Sequence, residues 1–95
     1  MFFVAICMDK PGHLQTRLDN RPAHLDFIEA HRTVIKFGGP FLGPDEKPIG
    51  SMLIVDCTDE ASARALLAND PYAKAGLFGS VEVTPWRQVV GPSIA

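Results

Sequence analysis

Three histidines, two cysteines and eleven acidic side chains are the raw material for chemistry in this chain. His24 stands out by position. It follows Asn20-Arg21-Pro22, where Asn20 suits a helix N-cap and proline suits a first turn. Histidine titrates near neutrality and is the commonest general base. A helix N-terminus favours the neutral ring, which is the form a base needs. A solvent-facing histidine is the commoner outcome at such a position, and periodicity alone favours it. Asp70 precedes Pro71, a pair that ordinarily makes a turn. The same carboxylate could accept a histidine ring proton, fixing the tautomer and raising basicity as in catalytic triads. Ser51 could donate a hydroxyl, and Gly38-Gly39 could offer backbone N–H groups to an anion or enolate oxygen. Tyr72 could be a packing ring with a wet hydroxyl. A strand end and a bulge are the ordinary explanations for Ser51 and for the glycines.

The other reactive side chains carry less. His31 lies seven residues after His24, about 20° further round a helix and roughly 10 Å along its axis, too far to share an ion. His13 falls in a turn. Cys7 and Cys57 complete no ligand set with these histidines, so we expect no metal. They lack C-x-x-C spacing and are too few for a disulfide scaffold. Free buried thiols in a reducing cytoplasm are the natural reading. No phosphate-binding loop, dinucleotide fingerprint, zinc-protease motif or nucleophile elbow occurs.

The elements that must position these residues fall in an order. Phe2–Met8 is apolar on both faces, Phe3-Ala5-Cys7 and Phe2-Val4-Ile6-Met8, and reads as a central strand covered on both sides. Asp9-Lys10-Pro11-Gly12 is a turn, and His13–Asp19 has room for a turn or two of helix. The main helix is expected from Asn20 to about Thr33. Val34–Phe37 reads as a strand interrupted by Gly38-Gly39-Pro40, the proline marking an edge. A loop over Gly43–Gly50 leads to a strand over Ser51–Cys57. Thr58 or Asp59 caps a second helix, which ends near Asn69, with Ala61, Ala65 and Ala68 as its packing stripe. Tyr72–Phe78 is a connector, and Ser80–Val90 the last strand. The order β-α-β-β-α-β predicts an α+β, ferredoxin-like fold on a four-stranded antiparallel sheet.

The chain has 95 residues, 46% hydrophobic and 21% charged, with net charge −2. That is one globular domain over 1–95 rather than a disordered chain. It lacks the basic excess of a nucleic-acid binder. The run Met1–Met8 is too short to cross a membrane, and it lacks the basic start and cleavage site of a signal peptide. Two helices cover only one face of such a sheet, so the second apolar face calls for another copy, packed sheet to sheet. A pocket for a small molecule would lie between sheet and helix or between sheets. The tail over 91–95 has no pattern.

Arg21-Pro22-Ala23-His24-Leu25, then Gly38-Gly39-Pro40, Gly50-Ser51, and Asp70-Pro71-Tyr72 with Ala75-Gly76-Leu77, followed by a strand holding Val81, Val83 and Pro85, resemble the YciI-like (YCII-related) family. The resemblance runs to about Val90. R-P-x-H-L and D-P-Y-x-x-A-G in this order are its specific part. It implies a ferredoxin-like fold that dimerises as an α/β barrel, with an active site on a histidine–aspartate pair matching His24 and Asp70. It also implies proton-abstraction chemistry without a cofactor, since a related enzyme removes chloride from a chlorinated hydroxyhydroquinone and muconolactone isomerases share the superfamily. The expectation is therefore a cofactor-independent lyase or isomerase acting on a small aromatic or lactone. Arg21, Gly39, Pro40, Ser51 and Tyr72 would hold the substrate. A non-catalytic small-molecule-binding dimer is the alternative, and a cofactor-free oxygenase a third reading. Assembly beyond the dimer stays open, and His31 inherits no role.

Overall fold

The computed structural model describes residues 1–94. Ala95, the end of the patternless tail, lies outside the described residues. Strand β1 (Phe2–Asp9) alternates as its side chains dictate: Phe3, Ala5 and Cys7 are buried, and Phe2, Val4, Ile6 and Met8 are half-buried. Strands β2 (Ile35–Leu42), β3 (Pro48–Asp56) and β4 (Phe78–Trp86) complete one sheet in the order β2-β3-β1-β4. All three pairings are antiparallel. With helices α1 (Leu14–Ala30) and α2 (Glu60–Ala68) as connections, this is the ferredoxin-like α+β fold. Phe3, Ala5, Cys7, Leu53, Val55 and Val83 of the sheet meet Ala63 and Leu67 of α2. Phe27 and Ile28 of α1 pack at the margin of that core. The prolines Pro40 and Pro85 both lie on edge strands, where a missing N–H breaks no ladder on the open side.

Helix α1 differs most from the sequence reading. It begins at Leu14, so Asn20 is interior rather than an N-cap, and Pro22 sits inside the helix. The proline removes one backbone bond, the one that the Leu18 carbonyl would have accepted. Side chains brace this stretch instead. Asn20 donates to the Thr16 carbonyl at 2.8 Å, and Gln15 to Asp19 at 2.7 Å. His13, at the N-cap position, makes no capping hydrogen bond, so nothing local announces the start. His24 is consequently in the third turn. The field of the helix N-terminus, which falls off within a turn, does not reach that position.

The remaining differences are smaller. Gly38-Gly39-Pro40 does not interrupt β2; the register shifts come instead between Ile35 and Phe37 and between Phe41 and Leu42. β3 starts at Pro48, inside the expected loop. In α2, capped by Asp59 through Ser62 N–H at 2.8 Å, the buried residues are Ala63 and Leu67. Ala61, Ala65 and Ala68 face solvent, so the expected alanine stripe is on the wrong side. The connector contains a short helix, α3 (Pro71–Lys74), ended by Gly76 at φ +73°, a conformation in which glycine carries no Cβ penalty. β4 ends at Trp86, short of Val90. Among the described residues, no helix is long and apolar enough to cross a membrane.

Candidate active site

Helix α1 runs beside α3. The gap between α1 and the β2–β3 half of the sheet is a cavity of about 620 Å³. The His24 imidazole forms part of its wall. Nδ1 lies 2.9 Å and 3.0 Å from the two carboxylate oxygens of Asp70. Asp70 is only 2% exposed and caps α3, accepting Tyr72 N–H at 2.9 Å. An ionised carboxylate can only accept hydrogen bonds, so the ring proton belongs on Nδ1. The Nε2 lone pair is then left for the cavity side, and no hydrogen bond engages Nε2 among the described residues.

Tyr72 stacks on this imidazole, with ring centroids 4.0 Å apart and planes 11° apart. The Arg17 guanidinium carbon stands 4.7 Å from the centre of the same ring. His24 lies seven positions after Arg17 on the helix, about 10 Å of rise, so an aromatic ring fits between their side chains. Arg17 is itself anchored. Nε and Nη2 donate to the two oxygens of Asp9 at 2.7 and 2.8 Å, and Nη2 also donates to Ser51 Oγ at 2.9 Å. Burial disfavours the Arg17 charge, but the Asp9 hydrogen bonds and charge outweigh it and hold the guanidinium above its ordinary pKa. Burial also raises the Tyr72 phenol, only partly opposed by Arg17 and Arg21, so its hydroxyl remains a donor. Cys7, on β1 in the core and near both carboxylates, is pushed up to about 12, chiefly by burial.

Arg21 is exposed and lines the cavity, as do Gly39, Pro40, Ser51 and Tyr72. Asp70 lies behind His24, away from the lining. Apolar wall comes from Leu25, Ile28, Ile35 and Leu53. Arg17, Arg21, Arg32 and Lys36 line it against a single carboxylate, Glu29, so the cavity is cationic in a chain of net charge −2. His31 stands apart, with Nδ1 2.8 Å from the Phe27 carbonyl and its ring tilted on Phe27. Among the described residues no group of three or more His, Cys, Asp or Glu side chains could hold a metal ion.

The model of the YCII-related domain matches residues 1–87. The chain belongs to the YCII-related family. YciI of Escherichia coli is 30% identical over 97 residues, spanning 94% of this chain and 99% of that protein. Derivative of benzaldehyde biosynthesis cluster protein C of Emericella nidulans is 38% identical over 74 residues, covering 66% of this chain and 74% of that one. Among solved structures, 5-chloro-2-hydroxyhydroquinone dehydrochlorinase (TftG) of Burkholderia phenoliruptrix AC1100, in complex with 2,5-dihydroxybenzoquinone, superposes with a TM-score of 0.87. It is 37% identical, over 94% of this chain and 96% of that one.

In this member of the YCII-related family the R-P-x-H-L and D-P-Y segments meet through His24, Asp70 and Tyr72, from α1 and α3. Arg17 and Asp9 are the site residues the sequence reading missed. The available signal was the spacing Arg17, Arg21, His24, Ile28, one face of a helix provided that the helix begins before residue 17.

Proposed function

We propose that this chain is a cofactor-independent lyase or isomerase. Neutral His24 takes a proton from a hydroxylated ring or a lactone carbon acid, and Asp70 holds the imidazole in its reactive tautomer. The observation that carries this reading is the Nδ1 contact to a buried carboxylate, which leaves Nε2 as the acceptor at a cavity wall. Arg21, Ser51, Gly39, Pro40 and Tyr72 surround the place a ring would occupy. The dehydrochlorinase neighbour, similar over nearly its whole length, supports elimination as the reaction class.

On a chlorinated trihydroxybenzene the balance closes without a co-reactant. The ring carbon bearing chlorine gains a proton on going to the keto tautomer. His24 then removes a hydroxyl proton, the electron pair passes through the ring, and chloride leaves with its bonding pair. A hydroxyquinone remains, with net loss of HCl. On a lactone the base would remove a proton from one carbon and return it at another.

Two copies would pack through the open face of the sheet, where Val4, Ile6, Met8 and Met52 meet no helix and Phe37 is 55% exposed. The free thiols of Cys7 and Cys57 fit a reducing, cytoplasmic setting. A panel of chlorinated hydroquinones and unsaturated lactones, offered to wild type and to His24→Ala, tests the reaction. Chloride release or double-bond migration by wild type alone is the expected result. Equal ligand binding by both proteins, with turnover by neither, would leave a binding module instead.

A further inference from the structure

We infer that Arg17, clamped by Asp9, is the anion receptor of this cavity, and that its ligands are ring compounds whose oxygen is already anionic or becomes so on proton loss. The inference rests on the proposed site but concerns a residue and a specificity which that reading does not need. Arg17 is only 4% exposed, yet it forms part of the cavity lining. Nε and Nη2 are committed to Asp9 and Ser51, and the Tyr72 side chain also faces the guanidinium, so Nη1, which donates to neither Asp9 nor Ser51, is the nitrogen a ligand oxygen would share with Tyr72. A fully buried cation facing a fully buried anion is electrically closed. Here the pair sits at a wall where a ligand oxygen can add to the guanidinium fork, at little reorganisation cost because Asp9 already fixes its plane.

Ser51 Oγ accepts from Nη2, so its own proton is free to point at the same ligand oxygen. Arg17 and His24 lie against the Tyr72 ring at 4.7 and 4.0 Å, so one hydroxylated ring lying along the edge of Tyr72 spans both. Proton loss to Nε2 at one end would then develop charge at the end facing Arg17. Arg21, Arg32 and Lys36 add a field of the same sign and draw an anion in without fixing its orientation.

The probe is 2,5-dihydroxybenzoquinone, a vinylogous acid that is anionic at neutral pH, compared with its neutral dimethyl ether, 2,5-dimethoxybenzoquinone. Dissociation constants are measured by spectroscopic titration for wild type, for the charge-neutral pair Asp9→Asn with Arg17→Gln, and for His24→Ala. We expect wild type to prefer the anion by about tenfold to a hundredfold, the scale of a charge-assisted hydrogen bond. The double variant should lose that preference. His24→Ala should keep it while losing any turnover, so failure of the base assignment and failure of this inference are separately visible. A double variant that still prefers the anion to the same degree overturns the proposal. Should that variant not fold, the nitrogen resonances of the Arg17 guanidinium in wild type decide. They should shift on adding the anion and not on adding the ether, and an unchanged Arg17 overturns the inference.

Discussion

Asp70→Asn separates the two tasks that one carboxylate performs. In the native protein Asp70 Oδ1 accepts both Tyr72 N–H and His24 Nδ1, each at 2.9 Å. Asparagine caps a helix as well as aspartate does, so its amide oxygen keeps the bond to Tyr72 N–H. The NH₂ group then takes the place of Oδ2, 3.0 Å from Nδ1, and competes with the amide oxygen for that nitrogen. A donor this close to Nδ1 favours moving the ring proton onto Nε2, which fills the lone pair that the cavity requires. The stability cost is small, about 1 kcal/mol for exchanging a charge-assisted hydrogen bond for a neutral one, or about 4–8 °C in Tm for a chain of this size. The rate cost is large. The same exchange in a serine-protease triad lowers turnover about 10⁴-fold, which sets the scale here. Asp70→Ala behaves differently, because it loses the cap and leaves Nδ1–H unpaired, together about 2–4 kcal/mol. Two assays read these effects: thermal melts for stability, and nitrogen NMR of the imidazole at a pH where the ring is neutral. The expected tautomer is Nδ1–H in wild type and Nε2–H in Asp70→Asn. An Asn variant that retains Nδ1–H, or that turns over within severalfold of wild type, would refute the reasoning.

Other consequences follow from the same geometry. Arg17→Met leaves Asp9 buried and unpaired and should cost about 3–5 kcal/mol in chemical denaturation, whereas neutralising both partners should cost much less. Cys7 is raised from 9.0 to about 12 in the fold. Its contribution to stability is therefore complete below about pH 9 and is lost as pH rises towards 12, which a series of alkaline denaturation curves will reveal. At pH 8 the native Cys7 thiol should resist thiol reagents that label the unfolded chain. Ile6→Asp on the open face of the sheet should convert a dimer into a species of 10.3 kDa by light scattering, and a wild type already at that mass would remove the sheet-to-sheet assembly.

Some of this architecture was legible before the structure, and the reasons are local. Phe2–Met8 announced a central strand because both of its faces are apolar. Thr58-Asp59 announced the start of α2 without deciding between the two, and Asp59 is the cap because its carboxylate sits where the Ser62 N–H needs an acceptor. The edge position of β2 followed from Pro40. The start of α1 was not legible, because His13 supplies no cap and Pro22 imitates a first turn. That one error placed His24 at a helix N-terminus and hid Arg17, whose partner Asp9 looked like a turn residue. The meeting of His24 with Asp70 spans 46 positions and obeys no spacing rule. It was reached from the chemistry of the two side chains and from resemblance to the family, and only the fold supplies the distance.

The claim at the centre of this account is that Nε2 of His24 receives the proton. Chemical rescue tests it most directly. His24→Ala, with Asp70 and the cavity walls otherwise in place, should release chloride from a chlorinated hydroquinone more slowly than wild type by orders of magnitude, and added imidazole should restore part of the rate in a saturable manner. A His24→Ala protein that works within severalfold of wild type, with or without imidazole, would contradict the account.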